Sequence, residues 1–474
     1  MGIVVESGSI LMKDAAPSPL QQPVVPFGEF LAALFQALAE GGVRFCVLRS
    51  YEGFPANNVG NDVDLLIHRR DLPRAMSVLR SLENIRLVNY TELSFIASVY
   101  LEGTSSTPGA RSLQVDFWWS LDSRGPEYLS ADAVLQAARQ RQVGGLSFLV
   151  PSPAHEAISL CSLAFYSGFL KEKYFPKVQQ TFVSERSEVL AALQPAFGIK
   201  AATRLVDAVT EGDRRKILGL IRPLRVALNL RCLLRKPLRG IIDTARYYLS
   251  IFRIRYSPKY IETVCIIGPG NCGQAAIIDG LIPVLHSAAK VVDKCQFRPQ
   301  PASGRELSEI SGSIDSRVRA SSSSLSSMVN AVLWLLREWK NQFLGRRELT
   351  LRIVEHSGRD LSVDPENYGY EGYVWFARLF GKLFPSPDLW ILLDPAGGGL
   401  QSRDGEVSSL KTLRLQEAYR SFVKTRKKYV ILDASKPVAN VTEEAYAAII
   451  EMLAQRTERQ LKNRFPSPHR KATN

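Results

Sequence analysis

The chain has 474 residues, of which 46% are hydrophobic and 22% are charged, a composition typical of a globular protein with room for two or three domains. Six scattered cysteines without a C-x-x-C pair, together with only five histidines, argue against a zinc site, a disulfide framework and a histidine-rich metal centre. The sequence has no apolar run of about 18 residues and no basic-apolar-small signal at its start. These features predict a cytoplasmic protein with a loose, proline-containing leader over residues 1–25.

A first globular unit is predicted over residues 26–213. Its opening segment, FGEFLAALFQALAEGG, has apolar residues at helical spacing and ends in glycines. Strand-like runs follow, namely RFCVLRS, DVDLLI and, after the helical pattern DLPRAMSVLRSLE, the run SLQVDFWW. The pattern from residue 130 to residue 220 is helical. We therefore expect an α+β domain with a helical extension.

Three aspartates of this unit are candidates for a metal site. GNDVDLLIH places Asp62 and Asp64 two residues apart at the start of a strand, so both side chains point to one face. Asp116 lies inside the strand-like run LQVDFWW, where a buried, unpaired carboxylate would cost several kcal/mol. Carboxylate oxygens suit Mg²⁺ bound together with substrate phosphates. The alternative is that a D-x-D at a strand start is only a turn or a cap.

The stretch VLRSYEGFPANNVGNDVDLLIHRRDLPRA, with QVDFWW and the helical segment after it, resembles the nucleotidyltransferase fold of the DNA polymerase β superfamily. The resemblance is to a bacterial branch found in surface-polysaccharide gene clusters. It implies that Asp62 and Asp64 hold metal and that Asp116, the third carboxylate, also binds metal and assists deprotonation of an acceptor. It also implies that Ser50 steadies phosphates. Arg49 stands where that family has glycine, so it would have to contact phosphates through its guanidinium fork.

The net charge of +14 is concentrated in a predicted basic helical linker, residues 214–260. Between Arg214 and Lys259 the sequence has 13 lysines and arginines but a single acid, Asp243. Apolar runs such as ILGLI and YYLSIF alternate with these charges, which indicates amphipathic helices with a basic face. Three interpretations remain open: a solvated face between domains, a surface for an anionic membrane or a lipid-linked anionic substrate, and, least favoured, a nucleic-acid surface.

The second unit is predicted over residues 261–456, where strand-like runs rich in Ile, Leu and Val alternate with helical patterns. This alternation is typical of a parallel sheet that is covered by helices on both faces. The octamer GPGNCGQA at its first strand has the spacing of a phosphate-binding P-loop, with glycines at Gly268, Gly270 and Gly273. However, Gln274 replaces the lysine and Ala275 replaces the magnesium-binding hydroxyl. A glycine-rich turn without phosphate chemistry is the alternative.

Several further segments, among them VDKCQFRPQP, PSPDLWILLDP, SRDGE and KYVILDASKPVANVTEEAYAAI, resemble in order the thymidylate kinase-like family of P-loop proteins. The resemblance implies a doubly wound P-loop fold, a substrate-side role for Arg298, and a lid at Arg403 and Glu406 in which the arginine meets nucleotide phosphates. The family's Asp-Arg pair reads Glu355-His356 here. The resemblance therefore predicts a degenerate kinase domain, and residues 457–474 are predicted to be a polar tail.

Together these patterns predict an α/β enzyme whose chemistry lies in its first unit. We expect Mg²⁺-dependent nucleotidyl or phosphoryl transfer from a nucleoside triphosphate to a sugar, glycan or small hydroxyl acceptor. An anionic membrane surface is one candidate partner of residues 214–259, whereas nucleic acid is not an expected partner. Two alternatives remain open: a non-catalytic, nucleotide-binding scaffold in polysaccharide synthesis, and an atypical small-molecule kinase that binds ATP in the second unit.

Overall fold

The chain folds into two five-stranded sheets with helices around them. A computed structural model describes residues 27–55, 62–82, 85–103, 112–167, 171–256, 262–269, 272–286, 288–289, 291–296, 329, 332–343, 350–365, 374–395 and 410–466. The predicted leader, residues 1–25, lies outside these ranges. The predicted α/β class is confirmed.

The first sheet is mixed. Its strands are β1 (Phe45–Val47), β2 (Asp62–Ile67), β3 (Ile85–Glu92), β4 (Ile96–Gly103) and β5 (Ser112–Trp118). They lie in the order β1–β2–β5–β4–β3, in which only β2 and β5 run parallel and the other neighbours are antiparallel. Parallel strands need a crossover connection, so the neighbours β2 and β5 are distant in sequence.

One face of this sheet is apolar and the other is polar at its centre. On the apolar face, Val63, Leu65 and Val115 belong to a buried cluster with α1 (Phe27–Glu40) and α2 (Leu72–Ser81). Because side chains alternate along a strand, Asp64 and Asp116 point to the opposite face. That face is therefore the one on which the candidate carboxylates lie.

A helical extension follows β5. It consists of β6 (Leu121–Asp122), β7 (Glu127–Leu129), α3 (Ala131–Gln136), β8 (Arg139–Val143), β9 (Leu146–Val150), α4 (Pro153–Ser167), α5 (Phe175–Ser184), α6 (Arg186–Phe197), α7 (Ile199–Thr210), α8 (Arg214–Arg235) and α9 (Pro237–Tyr256). Leu66 and Trp118 at the ends of β2 and β5 share a buried cluster with apolar residues of α4–α8. The extension thus covers one end of the polar sheet face.

The basic segment forms α8 and α9 and is not a free linker. Ile217, Ile221, Leu224 and Leu228 are buried in the core of the helical extension, because they recur at helical spacing on one side of α8. Among the described residues, no helix combines the length and the apolar character that a membrane crossing requires.

The second sheet is entirely parallel. It comprises β10 (Glu262–Ile267), β11 (Val291–Gln296), β12 (Thr350–Glu355), β13 (Leu389–Asp394) and β14 (Tyr429–Asp433). The helices of this unit are α10 (Gln274–Leu285), α11 (Val374–Gly381), α12 (Leu410–Lys424) and α13 (Val438–Arg464), and residues 332–343 are also helical. The strand order is β11–β12–β10–β13–β14, which puts the first strand at the centre. Connections leave β10 and β13 in opposite directions, so a crevice is expected at their carboxyl ends.

The prediction of a polar tail from residue 457 is wrong over its first part. Helix α13 continues to Arg464 without a break, and Leu461 is completely buried with the core of the first unit. The Thr457 hydroxyl donates to the Val88 carbonyl at 2.8 Å. The tail sequence looks polar because only one narrow stripe of this helix faces the first sheet. Residues 467–474 lie outside the described ranges.

Candidate functional site

Three aspartate carboxylates meet on the polar face of the first sheet. Asp64 lies directly opposite Asp116 in the parallel pair of β2 and β5, and Asp62 is two residues before Asp64 on the same face. One oxygen from each of the three side chains lies within 4.8 Å of the others. We call these residues the aspartate cluster. Within the parts of the chain that the structure describes, this is the one group of three or more acids, histidines or cysteines so arranged.

Asp64 is held by two neighbouring side chains. The Arg49 guanidinium donates to it in a bidentate manner, from Nη2 to Oδ1 at 2.8 Å and from Nε to Oδ2 at 2.7 Å. The indole Nε1 of Trp118 donates to Oδ1 at 2.8 Å. Asp64 is only 2% exposed, and a buried carboxylate needs such partners. The sequence assigns Arg49 to phosphate binding. In the structure, two of its N–H groups donate to Asp64, a member of the aspartate cluster.

The other two carboxylates, Asp116 and Asp62, have raised pKa values and therefore take up a proton more readily than an ordinary aspartate. Burial and the neighbouring Asp64 carboxylate raise the pKa of Asp116 to about 6, although Gln114 and Ser98 donate hydrogen bonds to it. Burial and Asp64 also raise the pKa of Asp62 above its ordinary value, with Arg49 opposing the shift. Like charges placed together in a low-dielectric site have this effect. The cluster carries more negative charge than its single arginine compensates.

The rim of the cluster contains cationic and hydroxyl groups. Lys171 is exposed, and it is close enough to Asp62 to counteract the increase in the pKa of that aspartate. The Ser50 and Tyr174 hydroxyls lie 3.0 Å apart, and either can donate to the other. Ser50 has a φ of 58°, a left-handed conformation that is uncommon outside glycine and is frequent at functional sites. These groups stand where a phosphate chain could approach the aspartates.

The donor set of the cluster fits a hard divalent cation. All three side chains offer oxygen, and Asp62 is partly exposed, so the site is open at one side. Among the described residues, no arginine binds Asp62 or Asp116 in a bidentate manner, whereas both oxygens of Asp64 already accept hydrogen bonds. A cation that bound here would have to share Asp64 with Arg49.

The glycine-rich loop of the second unit connects β10 to α10. Gly273 has a φ of 81° at the N-cap of α10, a conformation for which glycine is preferred. A side chain at Gly268 would bring its Cβ to 2.9 Å from the Leu393 carbonyl oxygen, so the residue there must be small. The backbone conformation at Gly273 and the close packing at Gly268 therefore explain why glycine is present at each position. Gly270 lies outside the described residues.

Gln274 links the two ends of this loop. It is 2% exposed, and its Nε2 donates to the Gly268 carbonyl at 3.3 Å. A P-loop lysine instead directs its charge to bound phosphate. The amide of Gln274 thus stabilises the turn through a hydrogen bond inside the loop. A contact between Gln274 and phosphate stays a prediction.

Polar side chains at the carboxyl edge of the parallel sheet are largely paired with one another. Asp394 accepts from Gln416 Nε2 and from Arg420 Nε, both at 2.5 Å. His356, in the left-handed region, lies with its Nδ1 3.1 Å from an oxygen of Asp360. The predicted phosphate contacts Arg298 and Arg403, and the lid residue Glu406, lie outside the described ranges.

The aspartate cluster and the glycine-rich loop are separate sites. The C-terminal end of α10 contacts the first sheet, where Asn89 Nδ2 donates to the Ala288 carbonyl at 3.4 Å and Leu285 shares a buried cluster with Tyr100. The loop precedes the other end of this 12-residue helix, roughly 18 Å away along its axis. The loop therefore lies at the end of α10 opposite to the one that contacts the first sheet.

Sequence reasoning missed Trp118, Lys171 and Tyr174. The indole of Trp118 is two residues after Asp116, so strand alternation places it on the same face, and this spacing is a usable signal. Lys171 and Tyr174 come from the segment before α5, and only the tertiary fold brings them to the rim. No family model matches this chain, and no curated protein matches it either.

Proposed function

We propose that the first unit transfers a nucleotidyl or related phosphoryl group from a nucleoside triphosphate to a sugar, glycan or other hydroxyl acceptor, with Mg²⁺ as cofactor. The aspartate cluster is the observation that carries this proposal. Three carboxylates at mutual distances within 4.8 Å, two of them with raised pKa values, are costly in a fold and are typical of functional sites. Phosphoryl-transfer sites use such oxygen ligands for magnesium.

Asp62 and Asp116 would hold the cation, with Asp64 as a shared ligand. Bound Mg²⁺ would supply positive charge that balances the triphosphate. Asp116 is our candidate for the acceptor of the hydroxyl proton, because it is a carboxylate of the cluster whose pKa is about 6 without a cation, and bound Mg²⁺ would lower that pKa. Its position next to Asp64 on a rigid strand fixes its orientation.

The rim would bind the triphosphate. Lys171 brings a mobile ammonium to the exposed side of Asp62, and the Ser50 and Tyr174 hydroxyls can donate to phosphate oxygens. Arg49 would donate to phosphate only with the N–H groups that do not already bind Asp64. In this proposal its main role is to hold Asp64 in place and to limit the negative charge of the cluster.

We further propose that the second unit is a thymidylate kinase-like P-loop fold whose phosphoryl transfer is lost or altered. The proposal is supported by the parallel sheet, by the central position of β10, and by the buried, uncharged Gln274 at the lysine position. Removing an electrostatic clamp from a transferring phosphoryl group commonly lowers the rate by orders of magnitude. This unit would then stabilise the first one, chiefly through α13.

A non-catalytic scaffold is the second candidate function, and the Arg49–Asp64 pair favours it. The guanidinium already provides one full positive charge to the cluster without any metal. If no cation displaces or joins it, the cluster would be a remnant that binds no metal. The response of the protein to Mg²⁺ separates these two functions.

The test is thermal stability of the full chain with nucleoside triphosphates, with and without Mg²⁺. We expect Mg²⁺-dependent stabilisation that Asp62→Asn abolishes, together with loss of turnover. Asp71→Asn is the matched control, because Asp71 is in the same unit, outside the cluster, and makes no side-chain capping bond to α2. Unchanged Mg²⁺-dependent binding and activity in the double variant Asp62→Asn/Asp64→Asn would refute the metal site. Nucleotide binding that instead responds to Arg403→Ala would favour a kinase site in the second unit.

We propose in addition that α9 and the end of α8 lie on an anionic membrane surface. Leu234 at the end of α8 and Leu238, Ile241 and Phe252 on α9 are each more than half exposed, although such side chains usually face a core. The surrounding charge is strongly positive, so a second copy of the same surface would be repelled, whereas an anionic lipid surface would be attracted.

Co-sedimentation with vesicles tests this surface. Binding to vesicles with phosphatidylglycerol, but not to pure phosphatidylcholine, is expected, and it should fall when Leu238→Ser and Phe252→Ser are combined. Neutralising the arginines of residues 214–259 should abolish it as well. Ile199→Ser is the control, since Ile199 is 52% exposed on α7, outside the basic segment. Equal sedimentation with both kinds of vesicle would overturn the proposal.

A further inference from the structure

A large basic cavity lies between the helical extension and the end of β5, and no residue of the aspartate cluster lines it. It has a volume of about 920 Å³ and is lined by parts of the β6–β7 hairpin, α6, α8 and α9. Trp119, the residue after β5, also lines it. The size lies within the range of pockets for small molecules, about 300–1,000 Å³. We call it the basic cavity.

Positive charge dominates its lining. Six cationic side chains contribute, and they are Arg69, Arg231, Arg235, Lys236, Arg239 and Arg246. Three acids oppose them, namely Asp122, Glu127 and Asp243. Asp243 pairs with both Arg239 and Arg246, each with a nitrogen–oxygen distance of 3.5 Å. Within the described residues, Arg231 and Lys236 form no ion pair. The lining therefore keeps positive charge that the protein itself does not neutralise.

Unused hydrogen-bonding capacity is concentrated in the same place. Ser94 Oγ, His155 Nδ1 and Arg231 Nε are buried atoms that find no hydrogen-bond partner among the described residues, and all three residues line the basic cavity. A buried polar atom without a partner costs about 1–3 kcal/mol. All three atoms are themselves almost fully buried, so a ligand in the cavity reaches them only when their side chains turn towards it. Ser94 and Arg231 can donate to acceptor oxygens, and His155 can do so in the matching tautomer.

The lining also offers surfaces for a ring. Trp119 and Tyr128 border the cavity, and the Trp119 indole is fixed by its bond to the Ser94 carbonyl at 2.7 Å. A fixed aromatic side chain beside several cations suits a compact ligand with an apolar face and an anionic group. Arginine forks match the geometry of phosphate oxygens, and the surplus charge of the lining matches a dianion.

We propose that the basic cavity binds a phosphate monoester of about sugar size. The site is distinct from the aspartate cluster, because none of Asp62, Asp64 and Asp116 lines the basic cavity. The phosphate is held by Arg231 and Lys236, and the ring lies against the aromatic side chains. The ester is either a soluble sugar phosphate or the phosphate of a lipid head group, which share this chemistry.

The test is calorimetric titration of the full chain carrying Asp62→Asn, without Mg²⁺, so that the aspartate cluster does not bind the ligand. Glucose 1-phosphate is the soluble probe, and glucose is its uncharged counterpart. We expect binding of the phosphate ester alone, weakened at least tenfold by Arg231→Gln and by Lys236→Gln. Arg222→Gln and Arg253→Gln are matched controls on α8 and α9, since neither residue lines the cavity.

A second arm identifies the source of the phosphate. Phosphatidylcholine vesicles that contain a polyprenyl monophosphate are compared with plain vesicles. Binding to these vesicles alone, lost in Arg231→Gln and Lys236→Gln, would support the proposal and assign the head group as the source. Equal binding of glucose and glucose 1-phosphate would overturn it, and so would absence of binding in both arms. Retained binding in Lys236→Gln, an exposed position where loss of folding is not expected, would also overturn it.

Discussion

Replacing Arg49 with alanine tests whether the aspartate cluster is a metal site or a remnant that binds no metal. Arg49 is the cation that binds Asp64 at 2.7 and 2.8 Å, and the two side chains are 13% and 2% exposed. Removal of one partner from a buried ion pair typically costs about 3–5 kcal/mol, because the other charge remains buried. We therefore expect Arg49→Ala to lower the free energy of unfolding by about this amount in the absence of divalent cations.

Added Mg²⁺ should recover much of that loss. Without Arg49, the aspartate cluster keeps three carboxylates and has no bidentate cation, so the affinity for Mg²⁺ should rise. A ligand present at about 100 times its dissociation constant stabilises the folded state by about 2.7 kcal/mol. The assay is urea unfolding of wild type and variant, in EDTA and in saturating Mg²⁺, with calcium as a second cation.

Arg456→Ala is the matched control for this experiment. Arg456 pairs with Glu262, another buried carboxylate, and Asp388 is near enough to raise the pKa of Glu262, but among the described residues no group of three acids, histidines or cysteines forms at this site. It should lose stability in the same way and gain nothing from Mg²⁺. The metal hypothesis is refuted if Mg²⁺ stabilises Arg49→Ala no more than it stabilises Arg456→Ala. In that case the scaffold function is favoured.

Three further predictions concern stability. Leu461→Ala should cost about 2–5 kcal/mol in urea unfolding, because Leu461 is fully buried in the core of the first unit, whereas Lys462→Ala should change little. Gly273→Ala should cost about 1–2 kcal/mol through its φ of 81°, since no atom of the described residues obstructs a Cβ there, while Gly219→Ala in α8 should be stabilising by about 0.5–1 kcal/mol. Burial raises the pKa of Asp122 to about 7, so the folded state resists ionisation and its stability falls as pH rises from about 4 to about 7. Unfolding at pH 4 and pH 8 should show Asp122→Asn gaining up to about 4 kcal/mol relative to wild type, and a constant difference would contradict the assignment.

The sequence predicted the aspartates better than their surroundings. The two-residue spacing of Asp62 and Asp64 is local, and the alternation of a strand determines the common face. That Asp116 joins them depends on the pairing of β2 with β5 across two intervening strands, and local patterns contain no information on such pairing. The resemblance to a known fold supplied that link, and the structure brings the three side chains together.

Arg49 and helix α13 show why the rest escaped prediction. From sequence, an arginine at a phosphate-binding position is expected to bind phosphate, but its side chain can turn towards any buried carboxylate in reach, and Asp64 is 15 residues away. The end of α13 reads as a polar tail because the residues that contact the first unit occupy one stripe among many charged ones. Both features depend on tertiary partners, which composition and periodicity do not specify.

The contrast between the two edges explains why chemistry is proposed in the first unit. At the carboxyl edge of the second sheet, Asp394 is matched by Arg420 and Gln416, and Gln274 closes the glycine-rich loop on itself. In the first sheet, three carboxylates share a single arginine, and the fold tolerates the resulting repulsion. Proteins retain unbalanced charge of this kind where a ligand relieves it, because selection for stability alone would remove it. A cation and the phosphates that accompany it are the ligands that this imbalance fits best.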